Sequence, residues 1–386
     1  MRGTAFGAVA VLLACVPAAQ GQDATAPVST RTPARGNNAA YGATMELVRR
    51  VARAGDPSAG GSREAVLKAV ESSAPRADLE TLVAIVSDPE PPFGDASLRS
   101  AALELLRGAD KKRAGPFVAK GLSAARRPGE APTPELVRVA GEVGGPAVES
   151  AAVEQLGVRG ADAAPWLKIL GAAGTARCLP AVYDRLIAAR NASAAAGPVA
   201  CAQSVIDRLT DPAEKKAAID ALWAKVDSFR LPHLDAMSGV FAITASAGSG
   251  PVATIGLALT GVSRRSSDDD QEAVRILECL KSGWRALASI GSKEAADELL
   301  KRLDDERAGD ARRRAAILSA MVALGGKRRD DKALMQSIVD RMGTAETDKE
   351  RDGYAQVLFT LAGEVVNYHR DVEAWRAYVS SLPAKK

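Results

Sequence analysis

The chain has 386 residues, 47% hydrophobic and 25% charged, which is long enough to bury a sizeable core and too apolar for a chain disordered throughout. Its 51 basic and 47 acidic residues leave a formal charge of +4, which excludes the single-sign field of a dedicated nucleic-acid binder. Aromatic residues make up only 4% while alanine is abundant, a composition that suits closely packed helices and disfavours strands.

Residues 1–21 read as a secretory signal: Arg2 is a minimal positive region, Phe6 to Val16 an apolar core, and Ala19-Gln20-Gly21 a small-x-small cleavage site. A competing reading lies within it. Leu12-Leu13-Ala14-Cys15 resembles a bacterial lipobox, in which Cys15 would become a lipidated N-terminus, although the preceding apolar run is short and Leu13 fits its position poorly. Either way the protein is expected to be exported, as a periplasmic, secreted or lipid-anchored chain. Residues 22–43 carry Pro27, Pro33, Gly36, Asn37 and Asn38 with no apolar periodicity, and are expected to form a flexible linker.

From Met45 onward apolar residues recur at three- and four-residue intervals, as in Leu47-Val51, Val66-Val70 and Leu82-Ile85-Val86, predicting helices joined by short turns. A small residue, usually glycine, then recurs with apolar positions about four and one before it and nine and twelve after it. The anchors lie near Gly108, Gly144, Gly174, Thr210, Gly248, Gly291, Gly325 and Gly363, at spacings of about 30 to 43 residues, the length of a two-helix repeat. Leu170-Ala173-Gly174 with Tyr183 and Leu186, and Leu287-Ile290-Gly291 with Leu300 and Leu303, are the clearest copies. One helix pair cannot enclose its own apolar face, whereas stacked pairs share a continuous interior. The expected domain therefore runs over residues 44–386 as about eight or nine helix pairs. Pairing is least defined near residues 45–90 and around Gly248. The segment from about Asp371 to Ser380, with Val372, Trp375 and Tyr378 on one stripe, is expected to close the array.

Several segments invite a chemical reading. Ala236 to Ser263 is charge-free and long enough for a membrane span of about 20 residues, but Ser246, Gly248, Ser249, Gly250 and Pro251 break it into two buried helices. Gly248-Ser249-Gly250 has no preceding strand and no third glycine, so it reads as a turn rather than a phosphate loop. Three cysteines follow the signal: Cys178, Cys201 and Cys279. The odd count, and the expectation that Cys178 and Cys201 lie near opposite ends of antiparallel helices, favour buried unpaired thiols. Asn191-Ala192-Ser193 matches a glycosylation triplet by spacing alone and is assigned no role. Asp268-Asp269-Asp270 lacks the spaced ligands and turn glycine of a calcium loop, and is expected to cap a helix. His233 and His369 fall in or beside connectors, and no metalloprotease, nucleotide-loop, serine-hydrolase or CxxC motif is present. No catalytic residue, metal ligand or cofactor is assigned.

Basic clusters occur at Lys111-Lys112-Arg113, Arg126-Arg127, Arg312-Arg313-Arg314 and Lys327-Arg328-Arg329. If connectors line one rim of a stacked array, Arg312, Arg313, Arg314, Lys327, Arg328 and Arg329 form a discontinuous basic strip, the candidate binding rim. Neighbouring acids such as Asp304-Asp305-Glu306 and Asp330-Asp331 would neutralise part of it.

The segment Leu287-Ala288-Ser289-Ile290-Gly291-Ser292-Lys293-Glu294-Ala295-Ala296-Asp297-Glu298-Leu299-Leu300-Lys301-Arg302-Leu303 resembles the HEAT and armadillo-like helical repeats, especially the short bacterial HEAT-like repeats also found in phycobilisome lyases. The likeness covers most of residues 96–380 and is strongest at 136–190 and 284–342. It implies an all-α, right-handed α-solenoid of stacked antiparallel helix pairs. The tryptophan-bearing terminal helix also resembles a form seen in secreted bacterial HEAT-like proteins. The function expected from these residues is a non-enzymatic envelope or secreted scaffold that engages a protein partner, with a concave face lined by the second helix of each pair. An anionic polymer or lipid surface remains an alternative ligand, and a chromophore-attachment role is permitted by the resemblance but supported by no residue. Nucleic acid is disfavoured by export and by the scarcity of stacking aromatics.

Overall fold

The computed structural model describes residues 38–87, 96–123, 131–158, 162–226, 231–265, 269–305 and 310–383. Among them every regular element is helical. The signal segment, Cys15, most of the expected linker and Arg126-Arg127 lie outside the described residues.

Three helices come first: α1 (Asn38–Ala54), α2 (Arg63–Ser73) and α3 (Leu79–Ser87). Residues 38–43, expected to belong to a flexible linker, lie in α1. Apolar periodicity begins only at Met45, but a helix extends upstream wherever the backbone can continue it, and Ala39 and Ala40 cost nothing in propensity. Thr44 is buried, and its hydroxyl accepts a hydrogen bond from the Asp78 backbone N–H at 2.9 Å, tying α1 to the start of α3.

Eight helix pairs follow. They are α4 (Ala96–Gly108) with α5 (Lys111–Ser123), α6 (Pro134–Val143) with α7 (Pro146–Gly157), α8 (Ala164–Ala173) with α9 (Leu179–Ile187), and α10 (Ala192–Arg208) with α11 (Pro212–Ala224). Then come α12 (Leu234–Ala247) with α13 (Val252–Ser263), α14 (Asp270–Ile290) with α15 (Lys293–Asp305), α16 (Ala311–Gly325) with α17 (Lys332–Gly343), and α18 (Asp348–Leu361) with α19 (Val372–Ser381). All eight anchor positions fall at the break between the first and second helix of a pair. Glycine is required there for two different reasons. At Gly291 the chain turns through φ 71°, and a Cβ would stand 2.8 Å from Cδ of Lys327. At Gly174 the backbone is extended, but a Cβ would meet the Leu170 carbonyl oxygen at 2.5 Å and Sγ of Cys178 at 2.7 Å. Thr210 meets neither demand, and the repeat keeps its break through Asp211, whose carboxylate caps α11, followed by Pro212 at the first helical position.

The first helices form one closely packed layer, each against the next from α4 to α18, with α1 continuing it over α4. Second helices pack well at α5–α7 and α17–α19 but only sparsely between α7 and α17. The interior between the layers is a single hydrophobic core running along the whole array. This is the architecture of a helical solenoid.

The break at Gly248 turns through φ 62° and separates α12 from α13, and among the described residues no helix is long and apolar enough to cross a membrane. α13 packs chiefly on α14 and α15 of the following pair. The last pair closes the array differently from the rest. Lys332 at the start of α17 donates to the carbonyls of Ser380 and Leu382 at the end of α19, while the end of α17 lies against Val372 and Arg376. α19 therefore runs antiparallel to α17, although Arg185 near the end of α9 bonds the last carbonyls of α7, as parallel second helices require. The reversal is made by a connector in which Gly363, Glu364 and His369 all take positive φ. Trp375 is buried beneath Tyr368, whose ring it meets edge-on with centroids 5.1 Å apart.

Candidate functional site

α16 settles the geometry of the expected basic rim. Arg312, Arg313 and Arg314 lie in its first turn, whereas Lys327, Arg328 and Arg329 follow its C-terminus. Arg313 and Arg328 are thus separated by about 22 Å at 1.5 Å per residue, and the six residues form two triplets on opposite rims instead of one strip. One connector joins pairs and the other joins helices within a pair, so a sequence cluster near "a connector" does not specify its rim. Lys111-Lys112-Arg113 begins α5 and shares the within-pair rim with the second triplet.

Most of these cations have structural duties. Arg314 lies 3.9 Å from Glu350, and both side chains are largely buried. The Arg313 guanidinium donates to the Ser263 hydroxyl at 3.3 Å. Arg312 is exposed, and its backbone N–H bonds the capping carboxylate of Asp310 at 2.7 Å. On the other rim, Lys327 donates to the carbonyl of Ser289, and Arg328 bonds Asp331 at 2.7 Å. The carbonyl acceptor belongs to the last turn of α14, where unpaired carbonyls and the negative helix end favour cations. The same device recurs along the stack. Arg208 at the end of α10 donates to the carbonyls of Gly171 and Gly174 at the end of α8, and Arg185 donates to those of Leu156 and Val158.

The second triplet nevertheless opens onto solvent. Lys327, Arg328 and Arg329 line an open groove of about 660 Å³ with Asp331, Lys332, Ala333 and Gln336 of the α17 entry. Its lining holds four cations against one carboxylate, and that carboxylate is already engaged by Arg328. Arg329 is exposed beside Gly363. The groove is thus open to solvent and carries an excess of positive charge.

Residues that invite a catalytic reading are differently placed. Cys178, Cys201 and Cys279 are buried and unpaired. Burial pushes the Cys178 and Cys201 thiols up to about 12 and Cys279 to about 11, with nearby Glu149 opposing ionisation of Cys178 further. A thiol held in that range is a poor nucleophile at neutral pH. The expectation that Cys178 and Cys201 sit at opposite helix ends is corrected: Cys201 lies in the body of α10, and negative charge on Cys178 disfavours ionisation of Cys201. His233 caps α12 and lies 3.2 Å from Asp235. His369 occupies the reversing turn before α19, where its carbonyl accepts from the Trp375 indole at 3.0 Å. Within the aspartate triplet Asp269 caps α14, accepting from the Gln271 N–H at 2.9 Å. Asn191 likewise caps α10 through its side-chain oxygen. Among the described residues no three of His, Cys, Asp and Glu converge as a metal site.

A second cleft went unread in the sequence. It lies where α13, α14, α15 and α16 meet, encloses about 310 Å³, and brings Arg264, Arg302 and Arg313 together above Trp284. One signal was available: Arg302 interrupts the apolar stripe of Leu299, Leu300 and Leu303, and a charge within a buried stripe has to have a partner.

No family model matches the chain, and no curated protein is similar to it. One solved structure that it resembles, titled as the crystal structure of an engineered protein from the Northeast Structural Genomics Consortium, is 13% identical, with 82% of this chain and 84% of that chain covered and a TM-score of 0.37.

Proposed function

We propose that this chain is a non-enzymatic scaffold of the HEAT-like, armadillo-like kind that works in the cell envelope or outside the cell and engages an acidic stretch of a protein partner. The export half of this reading is supported by Arg2, the apolar run from Phe6 to Val16 and the Ala19-Gln20-Gly21 site. The binding half is carried by one observation, the open groove lined by Lys327, Arg328, Arg329 and Lys332 with a single carboxylate among them. Repeat arrays offer extended surfaces on rigid elements, and a rim of fixed cations gives such a surface its preference for carboxylates. Two of the four cations are held by carbonyls of neighbouring helices, so the groove enters the encounter already ordered.

The test is capture from an envelope fraction by the full chain and by the double variant Arg329→Glu, Ala333→Glu, both positions being exposed. The wild type should retain a protein that is released as salt rises from about 0.05 to 0.5 M, because screening shortens the reach of exposed charges. The double variant should not retain it. Equal capture by both forms, or none by either, would overturn the reading. Retention that survives protease digestion of the fraction would transfer the groove to an anionic polymer.

A further inference from the structure

The helix that ends the array shares a residue with the open groove. Lys332 stands in the groove lining, and its ammonium donates to the carbonyls of Ser380 at 3.0 Å and Leu382 at 2.8 Å, at the C-terminus of α19. An ammonium has three donors, so one is left for a ligand. Arg329, also in the lining, runs beside the connector into α19, since a Cβ on Gly363 would stand 3.8 Å from its Cδ. Next to it the Asp330 N–H donates to the Leu361 carbonyl at 2.8 Å. α19 itself has ten residues and packs chiefly on α17, the helix whose first turn forms the groove. It is anchored by Trp375 and Val379, both 0% exposed, and the Trp375 indole donates back to the His369 carbonyl at 3.0 Å. The connector before it is pinned separately to α18, where Arg370 donates to Asp352 at 2.6 Å. Release of α19 from α17 thus breaks one helix interface and the two Lys332 bonds, and leaves the neighbouring pairs intact.

We infer, resting on the reading of the groove as a site for an acidic segment, that α19 is a strap whose docking and the occupancy of the groove reinforce one another. With α19 docked, two carbonyls fix the Lys332 ammonium in the groove wall, and a carboxylate that takes the third donor meets a group already in place. With α19 released, the Lys332 stem regains its rotamers and a ligand has to order it again. The effect is reciprocal: the factor by which docking tightens the ligand is the factor by which the ligand holds α19 down. Displacement is the competing outcome, because a carboxylate is a stronger acceptor than a carbonyl, and one that pulled Lys332 off α19 would loosen the strap instead. The spare donor on Lys332 makes displacement unnecessary.

The probe is a fluorescein-labelled hexaglutamate peptide, with its binding to the full chain read by anisotropy at about 0.05 M salt. Deuterium uptake of the fragment covering Val372–Ser381 reads the strap in parallel. Saturating peptide should slow exchange in α19 by about fivefold and leave that of α11 unchanged. Trp375→Ala, which removes the anchor of the strap and no groove residue, should weaken the peptide by a similar factor. Binding by the wild type without slowing of α19, or with α19 exchanging faster, overturns the strap and leaves the acidic-segment reading in place. Equal affinity in a folded Trp375→Ala does the same. No binding by the wild type to about 1 mM removes the reading of the groove and the strap together. If Trp375→Ala fails to fold, which circular dichroism would reveal, exchange in the wild type decides alone.

Discussion

Ionisation of the three buried thiols is opposed by their surroundings, first by loss of water and, for Cys178, next by Glu149. In the unfolded chain the same thiols lose their protons near their ordinary value of 9. Between pH 9 and about 11 the folded state therefore keeps protons that the unfolded state has released. The stabilisation is complete below pH 9 and declines as pH rises, by about 1.4 kcal/mol per pH unit for each thiol. Urea denaturation of wild type and Cys201→Ala at several pH values checks this: the gap between them should shift in favour of the variant from pH 9 upward. A gap independent of pH between 7.5 and 10.5 would contradict it. That at least one of these thiols stays unpaired was legible in the sequence from the odd cysteine count. The electrical proximity of Cys178 to Cys201 was not, because it depends on how far along α10 the chain docks against α9.

At the scale of the helix, a cation at a neighbour's C-terminus links several successive pairs. Arg185 bonds two carbonyls at the end of α7, at 2.8 Å to Leu156 and 3.0 Å to Val158. Its replacement by alanine should cost about 1 to 2 kcal/mol, from charge-assisted bonds and the helix end they satisfy. Arg185→Lys should recover only part of this, since a single ammonium does not reproduce a planar fork. Arg190, exposed beyond the end of α9, provides the comparison, and Arg190→Ala should change stability by no more than about 0.5 kcal/mol. Shifts in the denaturation midpoint measure all three. Helix ends themselves were readable because their causes are local: Asp211-Pro212 and Thr133-Pro134 each place a capping side chain before a proline at the first helical position. α1 begins upstream of the first apolar repeat at Met45, because apolar periodicity does not mark the solvent-facing first turns of a helix.

Across the whole molecule the two layers are unequal. First helices pack on one another without interruption, while α11 and α13 have thin contacts with their counterparts in the second layer. Local opening of a solenoid needs to break only neighbouring interfaces. Backbone amides in α12 and α14 should therefore exchange with deuterium at least about tenfold more slowly than those in α11 and α13. Uniform protection through all four helices would show the second layer to be as firmly held as the first. The candidate site was legible only in part at this scale. The triplets at 312–314 and 327–329 were visible as clusters, but placing them on one rim ignored the length of α16 between them.

The sequence alone determined where the helices break and that pairs of them repeat, since glycine, proline and capping side chains act on the few residues around them. Eight breaks at eight anchors follow from that local chemistry. The tertiary structure decided which side chains share a surface. Arg302 meets the Gly256 carbonyl across 46 positions, and Arg313 meets Ser263 across 50. Such meetings depend on helix length, on the reach of each connector and on the rotation of one pair over the next. These quantities accumulate along the stack and are set by packing, so the cleft over Trp284 and the division of the basic residues between two rims emerge only in the folded array.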